Sequence, residues 1–180
     1  VNRPRPGVHG SALDQRVLLH TVADSLQHIA DGLPLDDQVH PDPPVSLTLE
    51  DEMRRLARLL GYLAGATSTR HRDAADHPGD VTDTDRTVTI ALAQAAESAG
   101  HALASLGTAV RHLARLTDLT RRRAPATTVD TALRQTVLGI RTSRRHLHHG
   151  ARQLRTTADA RAASAIPAPP PQPVPLPRRL

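Results

Sequence analysis

Between Leu92 and Leu113 the apolar residues Leu92, Ala96, Ala99, Leu103, Leu106, Val110 and Leu113 recur at spacings of 4, 3, 4, 3, 4 and 3. That rhythm gathers all seven on one side of an α-helix and scatters them over both faces of a strand. Three other segments keep the same beat. Leu19, Val22, Leu26, Ile29 and Leu33 form one seam, and Leu49, Met53, Leu56, Leu60 and Leu63 a second. Leu133, Val137, Ile140, Leu147, Ala151, Leu154 and Ala158 form the last, with Arg144 standing at a position where an apolar residue is expected. The fold class that follows is all-α: an antiparallel helical bundle of about four helices, packed left-handed at about +20°. Arg144 is expected either to snorkel outward along its aliphatic stem or to pair with an acid of another helix.

Local signals set the expected boundaries. The first helix runs from about Ala12 to Leu33, with Ser11 and Asp14 as a capping-box-like pair and Gly32-Leu33-Pro34 as a stop. The second starts near Thr48, placing Glu50, Asp51 and Glu52 in a first turn where the helix dipole favours acids. It pairs Glu50 with Arg54 and Asp51 with Arg55, and ends at Gly65 or continues toward Asp76. The third spans about Thr84 to Arg123, with Asp80, Asp83 and Asp85 capping it; they lack the Gly and terminal Glu of a calcium loop. The fourth, capped by Thr127 with Asp130, runs to about Ser164.

The third and fourth helices form a long C-terminal hairpin. Its ends extend past two shorter partners and leave exposed seam for a dimer. Along the third helix Ala93, Ala96, Gly100, Ala104 and Gly107 form a line of small residues. Interior glycines cost about 1 kcal/mol each relative to alanine, so this line predicts close approach of another helix, or a kink near Gly100 or Gly107. The resulting organisation is a flexible N-terminus over 1–10, a bundle over 11–164 and a disordered Pro-rich tail over 165–180. Seven of the fifteen residues from Ile166 to Leu180 are Pro, a composition suited to polyproline II.

Composition narrows the chemistry. The 180 residues include no Cys, Phe, Trp or Lys and a single Tyr, Tyr62. The core must therefore be built from Leu, Val, Ile and Ala, which favours close helix packing over deep aromatic pockets. Without Cys there is no disulfide framework and no thiolate zinc site. No run approaches the roughly 18 to 20 apolar residues of a membrane span, and Val1 to Gly10 lacks the apolar stretch of a signal peptide. The expected setting is cytoplasmic, away from membranes.

Charge is distributed unevenly. Residues 1–97 carry 9 Arg against 15 Asp and Glu, a net of −6, and residues 98–180 carry 14 Arg against 3 acids, a net of +11. Either the two halves neutralise one another in the fold or the second half meets an anionic partner. On the fourth helix Arg134, Arg141, Arg145 and Arg152 fall within about 40° of one another, with His148 and Arg155 between them and the apolar seam. These six residues are the candidate nucleic-acid-binding set, since a row of guanidinium groups can follow a phosphate backbone. Arg121-Arg122-Arg123 and Arg178-Arg179 would add to the footprint. No Phe or Trp offers a base-stacking platform.

The histidines give a weaker signal. His146 and His149 are i, i+3 neighbours, but no carboxylate lies within four residues to complete a metal site. The run His146-Leu147-His148-His149-Gly150 resembles the helical His-x-Leu-Lys-Gly element of histidine-phosphotransfer bundles, with His at the Leu and Lys positions. His101-Ala102-Leu103 resembles it more distantly. The resemblance implies a phosphotransfer-like bundle centred on His146 or His149. His71-Arg72-Asp73 spells a kinase triplet without the glycine-rich loop, the Lys or the sheet that a kinase needs. No catalytic residue, metal or cofactor is indicated. The expected function is a non-enzymatic helical interaction or scaffold protein working with a protein partner or by self-association, with nucleic-acid binding through the Arg-rich half as the alternative.

Overall fold

The computed structural model describes residues 12–164, and every regular element among them is helical. α1 spans Ala12–Gly32, α2 Pro43–Asp76, α3 Asp83–Arg121 and α4 Ala126–Ser164, with a single 3-10 turn, Asp36–Gln38, between α1 and α2. The proposed Ser11 cap, the 1–10 segment and the Pro-rich 165–180 segment with Arg178-Arg179 lie outside the described residues. Successive helices run antiparallel. α3 and α4 share the most extensive interface, α1 lies on α4, α2 lies on α3, and α1 touches α2 and α3 only lightly.

One core joins all four helices. Leu19, Leu26, Leu49, Leu56, Leu63, Leu92, Leu106, Ile140, Leu147 and Leu154 are fully buried within it. At about 25 cal/mol per Å², each such leucine stabilises the bundle by roughly 2 kcal/mol. On α3 the buried stripe is broader than a single seam. Val88, Ala91, Ala95, Ala102, Ala109 and Leu116 are buried beside Leu92, Ala99, Leu106 and Leu113, whereas Ala96, Leu103 and Val110 are only partly covered. A helix flanked by two partners needs an apolar arc wider than one seam supplies.

Several local expectations change. α2 begins five residues before Thr48, where Asp42 caps it by accepting a bond from the Val45 amide at 3.3 Å and Pro43-Pro44 occupy its first turn. Glu50, Asp51 and Glu52 therefore sit inside the helix. Arg54 takes both Glu50 and Asp51, and Arg55 pairs with Glu52 rather than Asp51. α2 also passes through Gly61 and Gly65 to Asp76, so it is not a short helix. The cost of two glycines is smaller than the gain from extending α2 along α3.

Thr127 lies inside α4 instead of capping it; the Thr128 and Val129 amides bond the Pro125 carbonyl. The Asp85 cap is present as a full capping box with Thr82. The turn between α3 and α4 places Arg123 in the left-handed region at φ 55°, a position that favours glycine.

At its two glycines the line of small residues on α3 does not meet another helix, although Ala96 is partly covered by the core. A Cβ added at Gly100 or Gly107 would contact nothing within 4 Å, and α3 is continuous through both. Close approach occurs instead from α4. A Cβ at Gly139 would lie 2.9 Å from the Ala109 Cβ and 3.0 Å from the Ser105 carbonyl, and one at Gly150 would lie 3.0 Å from the Ser98 Cβ. Thr136 and Ser143 are buried on the same helix, where small side chains let the backbones come close.

Candidate functional site: the arginine face of α4

α4 carries its basic residues on the flank that overlooks α1. Its antiparallel course brings residues 141–161 along α1 from end to start, and the side chains there meet one by one. Arg141 forms an ion pair with Asp36, its Nε donating to Oδ2 at 2.7 Å. The guanidinium holds the Asp36 carboxyl below the usual carboxylate range, and the carboxylate in turn raises Arg141. His148 Nδ1 lies 3.2 Å from Gln27 Oε1, Arg155 donates to Asp24 at 2.9 Å, and His20 faces Asp159 at 3.6 Å. On this flank the acidic and basic halves of the sequence do neutralise one another in part.

Arg144 takes neither of its expected roles. Its side chain is half-buried and turned inward, donating to the Leu33 carbonyl at 2.8 Å, to the Pro34 carbonyl at 2.9 Å and to the Ala30 carbonyl at 3.3 Å. These are carbonyls at and just past the C-terminal end of α1, where the helix leaves acceptors unpaired and its dipole is negative. An arginine on one helix thus caps the end of another. Its sequence signal is the cation in an apolar seam, but only the tertiary pairing shows what it caps.

A second link had no clear signature. At the other end of α1, Gln15 is buried; it donates to Asp85 at 2.6 Å and accepts from Arg161 at 2.8 Å. The chain Arg161–Gln15–Asp85–Thr82 ties the C-terminal turns of α4 to the start of α1 and the cap of α3.

Of the six candidate nucleic-acid-binding residues, Arg141, His148 and Arg155 are engaged with α1 or the turn after it, and Arg134 pairs with Asp130 within α4 at 2.9 Å. Among the described residues, Arg145 and Arg152 have neither an ion-pair nor a hydrogen-bond partner, and both are exposed. They are brought together with Arg141, Arg144, His148 and Gln27 as the lining of one open groove of about 540 Å³. Arg134 and Arg155 do not line it. Four arginines line the groove, but Asp36 offsets Arg141 and the Arg144 guanidinium is turned onto the α1 carbonyls, which leaves Arg145 and Arg152 to face it unpaired. Its chemistry suits an anion with several oxygens, for which planar guanidinium groups are matched donors.

The histidine cluster sits on the other flank, toward α3. The His146 and His101 rings are 5.3 Å apart and tilted. Burial, then the neighbouring His101, Arg145 and His149, hold the His146 imidazole below its ordinary pKa. Among the described residues no group of three or more His, Asp or Glu is placed to hold a metal ion, and no helix is long and apolar enough to cross a membrane. No family model matches the chain, and neither curated proteins nor solved structures provide a significant match.

Proposed function

We propose that this chain is a non-enzymatic helical binding module and that its Arg-lined groove takes the phosphate backbone of a nucleic acid. The observation that carries the reading is the division of labour along α4. Arg141, Arg144 and Arg155 hold α1 in place, while Arg145 and Arg152, two turns apart, remain unpaired beside them. Exposed guanidinium groups with no acid to neutralise them, fixed on a rigid helix beside further cations, are what counterion release requires. With no Phe, Tyr or Trp in the groove, recognition rests chiefly on phosphate and shape rather than on base identity.

The test is fluorescence anisotropy of labelled duplex and single-stranded DNA and RNA, titrated with the full chain across about 50 to 300 mM salt. The Arg145→Ala/Arg152→Ala double variant is expected to weaken binding about tenfold and to reduce the salt slope by about 2, one for each phosphate left without its guanidinium. Both side chains are exposed, so the fold is retained. No binding at the lowest salt would remove the nucleic-acid reading and leave a module for protein partners.

A further inference from the structure

The second large depression in the molecule is unlike the first. α2 from Gly61 to Ala74, α3 from Val81 to Ile90, and Leu18 of α1 border an open groove of about 710 Å³. Its surface is mostly apolar, supplied by Leu18, Tyr62, Ala66, Ala74, Val81 and Ile90. Two large side chains on its walls stay in solvent, Tyr62 at 52 % and Ile90 at 58 % exposure. Gly61 and Gly65 flank Tyr62, and a Cβ at either would meet nothing within 4 Å, so the trough beside the ring is open.

We propose that this groove receives the chain's own Pro-rich segment, Ile166–Pro177. Three observations converge on that occupant. The first is position. Arg161, three residues before the end of α4, donates to Gln15, and Gln15 donates to Asp85, which lines the groove. Arg161, near the end of α4, is therefore two hydrogen-bonded side chains away from the groove. The second is length. The stretch of α2 bordering the groove, Gly61 to Ala74, is about 20 Å long at 1.5 Å per residue. Twelve residues in polyproline II cover about 37 Å at 3.1 Å each, enough to turn back and run the whole trough.

The third is chemistry. Pro-rich segments dock in shallow apolar grooves beside aromatic rings, because their conformation is already ordered and little entropy is lost. Tyr62 is the only Phe, Tyr or Trp in the sequence, and it stands in this groove. Val174 and Leu176, spaced among Pro173, Pro175 and Pro177, supply the apolar side chains to cover Tyr62 and Ile90. Tethering sets an effective concentration on the order of millimolar, so even weak intrinsic affinity keeps the groove mostly filled.

The chain has no Cys, so an introduced one is a unique labelling site. A nitroxide is attached to the full chain carrying Leu176→Cys, and amide peak intensities are compared with the label oxidised and reduced. The expected result is a roughly twofold or greater loss at Gly61, Tyr62, Gly65 and Ile90, as mostly filled tethered docking implies. Leu119 and Val129 at the far end of the hairpin keep their intensity. An Ile90→Asp change in the labelled chain restores the peaks of Gly61 and Gly65. Unchanged groove peaks overturn the proposal. So does the same loss produced by a label on Val8→Cys but not on Leu176→Cys, which assigns the groove to the N-terminal segment. Loss in unlabelled isotopic chain mixed with labelled chain assigns it to a second copy and equally overturns it.

Discussion

α1 and α2 are both layered on the α3–α4 hairpin, but they are held differently. α1 is fastened to α4 at several heights, by Arg144 on its C-terminal carbonyls, Arg141 on the following turn, His148 and Arg155 midway, and Arg161 through Gln15 near its start. α2 buries Leu49, Leu56 and Leu63 in the common core, yet its ion pairs, Arg54 with Glu50 and Asp51 and Arg55 with Glu52, close within the helix. Apolar contact is non-directional, whereas hydrogen bonds fix register. The fastened seam holds a row of cations in place beside a polar groove. The other seam opens at its far end into an apolar one.

The comparison is sharpest where both seams draw on the same core. Leu154→Ala on α4 and Leu56→Ala on α2 should each cost about 3 kcal/mol in denaturant unfolding, because each leaves a cavity in a closed apolar environment. Probes on α2 and α4 that unfold in separate transitions would mean that the helices do not share one cooperative core. Arg144→Ala comes next, at about 2 kcal/mol, since three acceptors at the end of α1 lose a charged donor and the half-buried stem leaves a gap. Arg54→Ala on α2 should not approach that cost, because its pairs with Glu50 and Asp51 are exposed and intrahelical.

Glycines give a contrast of opposite sign. Gly139→Ala should destabilise by about 1 to 2 kcal/mol, as its Cβ meets Ala109 and the Ser105 backbone and forces α3 and α4 apart. Gly107→Ala should stabilise by up to about 1 kcal/mol, for it adds helix propensity over open space. Equal effects at the two positions would contradict the assignment of the close face. The smallest effect concerns pH. Because His146 is held below its ordinary pKa in the fold, the unfolded chain binds its proton more tightly. Its contribution is complete above about 6.5, the unfolded value, and is lost as pH falls toward the lower folded value. Denaturation midpoints should therefore drop through that window in the native chain and drop less in His146→Gln.

The helices and most of their buried residues were legible because periodicity is a local property. Leu19, Leu26, Leu56, Leu106 and Leu154 lie where their seams put them. What periodicity cannot give is which neighbour a face meets. The Ala93–Gly107 line reads like a packing face, but Ala93, Ala104 and Gly107 are exposed and a Cβ at Gly100 would meet nothing, whereas Gly139 and Gly150, inside the Arg-rich segment, make the close contacts. The length of α2 was obscured because Gly61 and Gly65 are weak stops when tertiary packing continues past them. The arginine stripe was visible as a stripe. Which guanidinium groups are occupied depends on acids more than a hundred residues away, Asp24 and Asp36, and only the fold brings those together.

Native-state hydrogen exchange at low denaturant tests the distinction between the two seams most directly. The amides of α2 from Gly61 to Asp76 should exchange through a sub-global opening with a smaller free energy than that of α1 from Val22 to Ala30 and α4 from Ile140 to Leu154. Arg144→Ala should lower the opening energy of α1 toward that of α2. If α1 opens before α2 in the native chain, or if Arg144→Ala leaves α1 unchanged, the polar contacts along α4 do not hold α1, and the account is wrong.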